Sequence, residues 1–186
     1  MDDLKFMKEY LKRYRSSLFK TDVSDQMIRM KEMLLEVKKN GRKVIIAGNG
    51  GSAAMASHVA VDFTKQGGIR TVNFNEADLI TCFANDYGYE FWVAKALEFY
   101  GDEGDVVILI SSSGSSNNIV NAAKIANQLG MPVITFTGFE PGNPLKKEGQ
   151  LNFWVDSKAY NIIENTHQIW MLMACDMIIG KAEYSA

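Results

Sequence analysis

The sequence predicts an α/β protein whose core is a doubly wound parallel sheet of five strands flanked by helices. Short apolar segments of strand length alternate with helical segments, which is typical of parallel strands joined by helical crossovers. The segment from Val106 to Ile110 is continuously apolar, as expected of a parallel strand covered on both faces. The 186 residues are expected to form a single domain, with an N-terminal helical pair at residues 1–40 and an α/β core at residues 41–186.

The N-terminal region is predicted to be a helical hairpin. Residues 4–18 carry apolar side chains at three- and four-residue spacing, with Lys and Arg on the other side, which indicates an amphipathic helix. A second helix is expected to start near Thr21–Ser24 and to end before Gly41, after cations in its last turn. We expect this hairpin to pack on the α/β layers or on another subunit.

The elements of the core are predicted from apolar runs bounded by Gly, Pro, Asn and Ser. The predicted strands are residues 43–47, 71–75, 105–110, 131–137 and 151–155. The predicted helices are residues 53–65, 76–84, 88–99, 117–129 and 160–179. A break is expected at Asn85–Gly88, and residues 138–149 are predicted to be a loop with one turn of helix.

Composition narrows the classes of function. A formal net charge of −2 gives no reason to expect binding to nucleic acid or to an anionic membrane surface. No apolar run is long enough to span a bilayer, so we expect a cytoplasmic protein. Cys82 and Cys175 lie far apart within apolar helical patterns, which favours two buried free thiols over a disulfide or a metal pair.

The first strand leads into a glycine-rich turn and then directly into a helix. The turn is Gly48-Asn49-Gly50-Gly51-Ser52. Such a turn directs free backbone N–H groups and the positive end of the helix at an anion. No Lys-Ser/Thr pair follows, so it is not a Walker A loop, and the third glycine of a dinucleotide fingerprint is missing. Ser52 stands at the expected N-cap, where its hydroxyl could serve the helix or a phosphate; a plain tight turn is the alternative.

A second loop, rich in serine, follows the most apolar strand. The hydroxyls of Ser111, Ser112, Ser113 and Ser116 and the N–H groups of the next helix could bind a phosphate monoester. Both loops come after strands, where open α/β sheets bind ligands. This placement favours phosphate binding over a flexible serine-rich connection.

These two loops, together with Ala84–Gly88 and Gly104–Val106, resemble the sugar isomerase (SIS) domain and, more narrowly, the phosphoheptose isomerases. The resemblance implies an aldose-ketose isomerase that acts on a sugar phosphate such as sedoheptulose 7-phosphate through an enediol. It also implies a homotetramer with sites between subunits, no organic cofactor and no direct nucleic-acid binding. The residues that it assigns to the sugar phosphate, besides the serines, are Asn49, Gly50, Gly51, Asn85 and Asp86.

Four further positions decide which member of the family this is. Family members carry His and Glu four residues apart after the glycine loop, and Gln and His eight residues apart on the closing helix, and many hold zinc there. This chain has His58, Asp62, Glu164 and Leu172 at those positions. Leucine neither moves a proton nor binds a metal. The resemblance therefore predicts Asp62 as the base, with His58 and Glu164 as ligands of a metal or of the substrate carbonyl.

The closing helix offers two neighbours for the missing histidine. At about 100° per residue, Gln168 lies between Glu164 and Leu172 and is predicted to hydrogen-bond the sugar, whereas His167 points away from Leu172. One hypothesis is a divalent metal site, with zinc as the natural ion, made by His58, Asp62, Glu164 and His167. The other is that His167 is structural.

The first predicted function is a phosphosugar isomerase of the phosphoheptose type. The alternative is a catalytically inactive SIS-domain protein that binds a phosphosugar as a regulator, or binds the bacterial replication initiator protein as some relatives do. Asp62 and Leu172 are the residues that favour the alternative. Asn161, where the family usually has an aspartate near the sugar hydroxyls, is a further change in the same region.

Overall fold

The computed structural model describes residues 2–184, which form eight α-helices and five β-strands. The strands are β1 (Val44–Ala47), β2 (Thr71–Val72), β3 (Val106–Ser111), β4 (Val133–Thr137) and β5 (Leu151–Trp154). The helices are α1 (Asp3–Phe19), α2 (Ser24–Lys39), α3 (Gly51–Lys65), α4 (Ala77–Tyr87), α5 (Trp92–Tyr100), α6 (Asn117–Gln128), α7 (Pro144–Glu148) and α8 (Tyr160–Ile179).

The five strands form one parallel sheet in the order β2-β1-β3-β4-β5. Val44 lies opposite Val106, and Ala47 lies opposite Leu109. The chain winds outward from β1 in one direction and from β3 in the other, so the strand order reverses between them. A crevice opens at the carboxyl ends of strands at such a reversal. The predicted fold class is confirmed.

Each face of the sheet is covered by its own apolar cluster. On one face the cluster joins α2, α3 and α8 through side chains such as Leu34, Phe63 and Trp170. On the other face it joins α5 and α6 through Trp92 and Ile119. Because both faces are covered, the strands are almost continuously apolar rather than alternating.

The helical hairpin divides its packing between two environments. Helix α2 buries its apolar stripe against the sheet, as predicted. Helix α1 contacts α8, where Tyr14 Oη donates to the carbonyl of Asn161 at 3.2 Å. The apolar residues Leu4, Met7 and Leu11 on α1 are 58%, 54% and 65% exposed. The apolar side of α1 therefore lies uncovered in a single chain.

Two local predictions were wrong. Helix α4 runs through Asn85 and Asp86 to Tyr87, with Gly88 as its C-cap. Gly88 has a φ of 87°, a backbone conformation that favours glycine and is not helical. The cysteines also differ: Cys175 is buried, whereas Cys82 is exposed, and both are free thiols. The reason is that α4 buries none of its residues fully.

Among the described residues, no helix has the length and apolarity needed to cross a membrane.

His167 lies inside the core rather than at the surface. It is fully buried, and its Nε2 is 3.0 Å from the carbonyl oxygen of Thr137. Burial lowers the pKa of His167 to about 4, although the bond to Thr137 opposes this shift. The ring is therefore neutral at physiological pH, with Nε2–H as the donor.

The free energy of unfolding should fall as the pH drops from 6.5 towards 4. In this range His167 is protonated in the unfolded chain but stays neutral in the folded one. At pH 5 this amounts to about 2 kcal/mol of unfolding free energy relative to pH 7.5. Urea unfolding of the wild type and of His167→Phe at both pH values measures the effect. The phenylalanine variant should lose this part of the pH dependence, and an identical dependence in both proteins would contradict the assignment.

Candidate active site

The glycine-rich loop and the serine loop meet at the carboxyl ends of β1 and β3. They enclose a pocket of about 110 Å³, which we call the serine pocket. Its lining residues are Asn49, Ser52, Ile110, Ser111, Ser112, Ser113, Ser116, Tyr160 and Glu164. Five of these residues, the serines, are the ones that the sequence analysis predicted to hold a phosphate, and Asn49 is one that it predicted to contact the sugar.

The hydroxyl groups of the serine pocket differ in whether they are paired: Ser111 Oγ and Ser116 Oγ lie 3.1 Å apart and hydrogen-bond each other, and Ser113 Oγ accepts from the backbone N–H of Ser115. Helix α3 starts at Gly51 with Gly50 as its N-cap, so the prediction that Ser52 caps the helix was wrong. Ser116 is the N-cap of α6 but makes no capping bond with its side chain. Ser112 Oγ is buried without a hydrogen-bond partner among the described residues. An unpaired buried hydroxyl close to the first turns of two helices is suited to binding an anion.

Two glycines at the start of α3 permit the close approach of α8. Gly50 has a φ of 54°, which favours glycine over residues with a Cβ. A Cβ on Gly51 would lie 2.5 Å from Glu164 Oε2. The carboxylate of Glu164 therefore rests against the start of α3, where the positive end of the helix stabilises it.

A larger cavity of about 360 Å³ adjoins the serine pocket, and we call it the groove. Its lining residues are Gly51, Ala54, Met55, His58, Glu164, Asn165 and Gln168. Glu164 belongs to the walls of both cavities. The serine pocket and the groove thus share one carboxylate at their boundary.

His58 is held at both ring nitrogens. Its Nδ1 is 2.9 Å from Gln168 Nε2, and its Nε2 is 3.3 Å from Asp62 Oδ2. The four-residue spacing of His58 and Asp62 on α3 brings them together as expected. Asp62 is not among the residues that line the groove. It can therefore act on a ligand in the groove only through His58.

Asn49 is engaged within the protein. Its amide exchanges two hydrogen bonds with the amide of Asn118, at 3.0 and 2.8 Å, and its Oδ1 accepts from Tyr89 Oη at 3.2 Å. This pairing fixes the glycine loop against α6. The predicted contact of the Asn49 side chain with substrate would require it to leave these partners.

Asn85 and Asp86 lie elsewhere in the single chain. Asn85 Nδ2 donates to Asp86 Oδ1 at 2.9 Å, and Asp86 lines a surface cavity with Cys82 and aromatic residues of α4 and α5. Neither residue lines the serine pocket or the groove. Asn161 is exposed and also lies outside both cavities.

The donors of the predicted metal site do not fit a metal ion. In residues 2–184, no three His, Cys, Asp or Glu side chains converge as metal ligands would. His167 is in the core and donates to Thr137, while both nitrogens of His58 already have partners. The four predicted ligands therefore do not converge within residues 2–184, and the structural interpretation of His167 agrees with its burial.

Sequence reasoning missed two residues of this region. Tyr160 lines the serine pocket, and Asn118 holds Asn49. Tyr160 is the first residue of α8, so its place at the mouth of the crevice follows from the helix boundary. The partnership of Asn118 with Asn49 spans 69 residues, and no local pattern in the sequence signals it. Leu172 packs against the core.

The sheet and its two loops define an SIS domain, whose sequence profile matches residues 8–138. The chain is 32% identical over 172 residues to the phosphoheptose isomerase of Thermodesulfovibrio yellowstonii, covering 89% of this chain and 85% of that protein. It is 31% identical over 185 residues to the phosphoheptose isomerase of Helicobacter pylori, covering 96% and 95%. A phosphoheptose isomerase structure from Francisella tularensis superimposes with a TM-score of 0.89 at 26% identity, covering 97% and 100%.

The chain belongs to the phosphoheptose isomerase family of SIS-domain proteins. The predicted family is confirmed, and its members are named as sugar-phosphate isomerases. The protein is therefore an enzyme of the class that isomerises sugar phosphates.

Proposed function

We propose that the protein isomerises a phosphorylated sugar, of the sedoheptulose 7-phosphate type, in the crevice formed by the serine pocket and the groove. The observation that carries this proposal is the position of Glu164 in the walls of both cavities. A sugar phosphate whose phosphate group lies in the serine pocket would extend its carbon chain past the carboxylate of Glu164 into the groove. The isomerisation needs no organic cofactor, because hydrogen moves as a proton within the substrate.

In the proposed complex, neutral donors hold the phosphate. Ser111, Ser112, Ser113 and Ser116 would donate through their hydroxyls, and the first turns of α3 and α6 would add backbone N–H groups. The unpaired Oγ of Ser112 supports this assignment. No basic side chain lines the serine pocket, so binding would depend on hydrogen bonds and helix ends.

We assign proton transfer to Glu164 and His58. Glu164 would take the proton from the carbon beside the carbonyl and return it to the neighbouring carbon. His58 would accept the hydroxyl proton on Nδ1 and deliver it to the adjacent oxygen, while Asp62 stabilises the charged ring through Nε2–H. This differs from the sequence prediction, in which Asp62 is the base, because His58 and Glu164 line the groove.

The proposal includes no metal, because the donors present do not suit one. It does include an oligomer in the cytoplasm, with a homotetramer as the expected form. The uncovered apolar side of α1 supports association, and light scattering of the purified protein would measure the mass of the assembly.

The experiment is a turnover assay on ketose and aldose phosphates from pentose to heptose, run in deuterium oxide. An enediol mechanism should place deuterium on the carbon next to the carbonyl as the product forms. Glu164→Gln keeps the shape of the side chain but cannot take a proton, so it should lose both turnover and deuterium incorporation. If the wild type isomerises none of the substrates with or without added zinc, the enzyme proposal is discarded.

The regulatory alternative predicts a different result in the same assay. A phosphosugar-binding protein without catalysis should gain thermal stability from sugar phosphates and incorporate no deuterium. Leu172, which provides no acid or base on the closing helix, is the feature that favours it.

A further inference from the structure

The imidazole of His58 contacts polar side chains from two different helices. Asp62, one turn further along α3, faces Nε2 at 3.3 Å. Gln168, on α8, faces Nδ1 at 2.9 Å. His58 is 49% exposed at its side chain, so these two contacts fix a ring that packing alone would leave mobile.

Only one tautomer of neutral His58 satisfies both partners. A carboxylate accepts hydrogen bonds and cannot donate them, so the proton must be on Nε2, opposite Asp62. Nδ1 then has a lone pair, and the partner of that lone pair must donate. The amide of Gln168 therefore presents its NH₂ group, and this orientation follows from the charge of Asp62 two bonds away in the network.

We propose that Gln168 is a positioning residue, which holds the Nδ1 lone pair of His58 at the groove until a substrate hydroxyl takes the place of its amide. This inference rests on the proposed function. Its physical basis is that the Gln168 amide and a sugar hydroxyl are both neutral donors that Nδ1 can accept. When the hydroxyl replaces the amide, Nδ1 of His58 accepts a hydrogen bond from the hydroxyl, and the ring does not turn away from Asp62.

The position of Gln168 on α8 fits this role. It follows Glu164 by four residues, so the two side chains lie on the same face of the helix and line the same groove. Glu164 would act on the carbon-bound proton, and His58 on the hydroxyl proton. Gln168 thereby sets the distance between the two acid/base groups by tying the ring on α3 to the helix that carries Glu164.

The chain has two histidines, so the ring signals of each can be assigned separately in a spectrum. Long-range ¹H–¹⁵N correlation spectra at pH 8 report the protonated nitrogen of each ring and whether the other nitrogen accepts a hydrogen bond. The wild type should show His58 protonated on Nε2 with a hydrogen-bonded Nδ1. In Gln168→Leu, the Nδ1 signal of His58 should move towards that of a free acceptor, while His167, bonded to Thr137, provides an internal reference that stays in place.

Asn165→Leu is the matched control for the spectrum, because Asn165 lies on the same helix and donates to Tyr14 Oη rather than to His58. It should leave the His58 signals in place. In turnover, Gln168→Leu should lower kcat by about 10- to 100-fold with a smaller change in KM, as expected when a reacting group is misplaced.

The outcomes separate the two proposals. Turnover in the wild type together with an unmoved Nδ1 signal in Gln168→Leu would overturn the role of Gln168 and leave the proposed function intact. A wild-type His58 protonated on Nδ1 would overturn it as well. Absence of turnover in the wild type with every sugar phosphate would overturn both.

Discussion

Replacing Asp62 with asparagine is expected to lower kcat by about 10²- to 10⁴-fold, the range typical of a lost acid/base contribution. The side chain keeps its size, so His58 should keep a neighbour at Nε2. What is lost is the negative charge that stabilises the ring once Nδ1 has taken a proton. Steady-state kinetics on the substrate that the wild type turns over best would measure the change.

The control for this prediction is Asp78→Asn, which removes an exposed carboxylate from the first turn of α4. It should leave kcat unchanged. Asp62→Asn should still be stabilised by sugar phosphate in a thermal shift, because Asp62 lies outside the serine pocket. Equal kcat values for the wild type and Asp62→Asn would show that the charge of Asp62 does not contribute to catalysis.

The sheet could be predicted from the sequence because its signals are local and strong. The run Val106–Ile110 is apolar at every position, and burial on both faces of a parallel sheet requires that pattern. The helix bounds were less predictable at α4. Asn85 and Asp86 favour turns, yet the helix continues past them to Tyr87 and ends before Gly88, which has a positive φ.

The candidate site was predictable as far as local loops define it. The glycine and serine loops each follow a strand, so their meeting at one sheet edge follows from topology. The side-chain pairings across elements were not predictable. Asn49 with Asn118 and His58 with Gln168 join residues that are 69 and 110 positions apart, and only the folded chain reveals which polar groups are already satisfied.

Asp105, which lies in the segment Gly104–Val106 that resembles the family, is expected to contribute to stability. It lies before β3, at the amino end of the sheet and away from the serine pocket. Its side chain is fully buried. Oδ1 accepts from the backbone N–H of Lys43 at 3.0 Å, and Oδ2 accepts from the backbone N–H of Asp102 at 2.9 Å and pairs with Lys43 Nζ at 2.5 Å.

Asp105→Ala is therefore expected to lower the free energy of unfolding by about 3–5 kcal/mol, the cost of breaking a buried ion pair from one side. Two backbone N–H groups lose their acceptor, and each such loss adds to the cost. Urea unfolding at pH 7.5 measures the change. Asp102→Ala is the matched control. Asp102 also pairs with Lys43, at 2.7 Å, but its side chain is 64% exposed, so its loss should cost far less than that of Asp105. Equal losses in the two variants would mean that burial does not set the strength of this contact, and that the link between β1 and β3 at this end of the sheet depends on the strands alone.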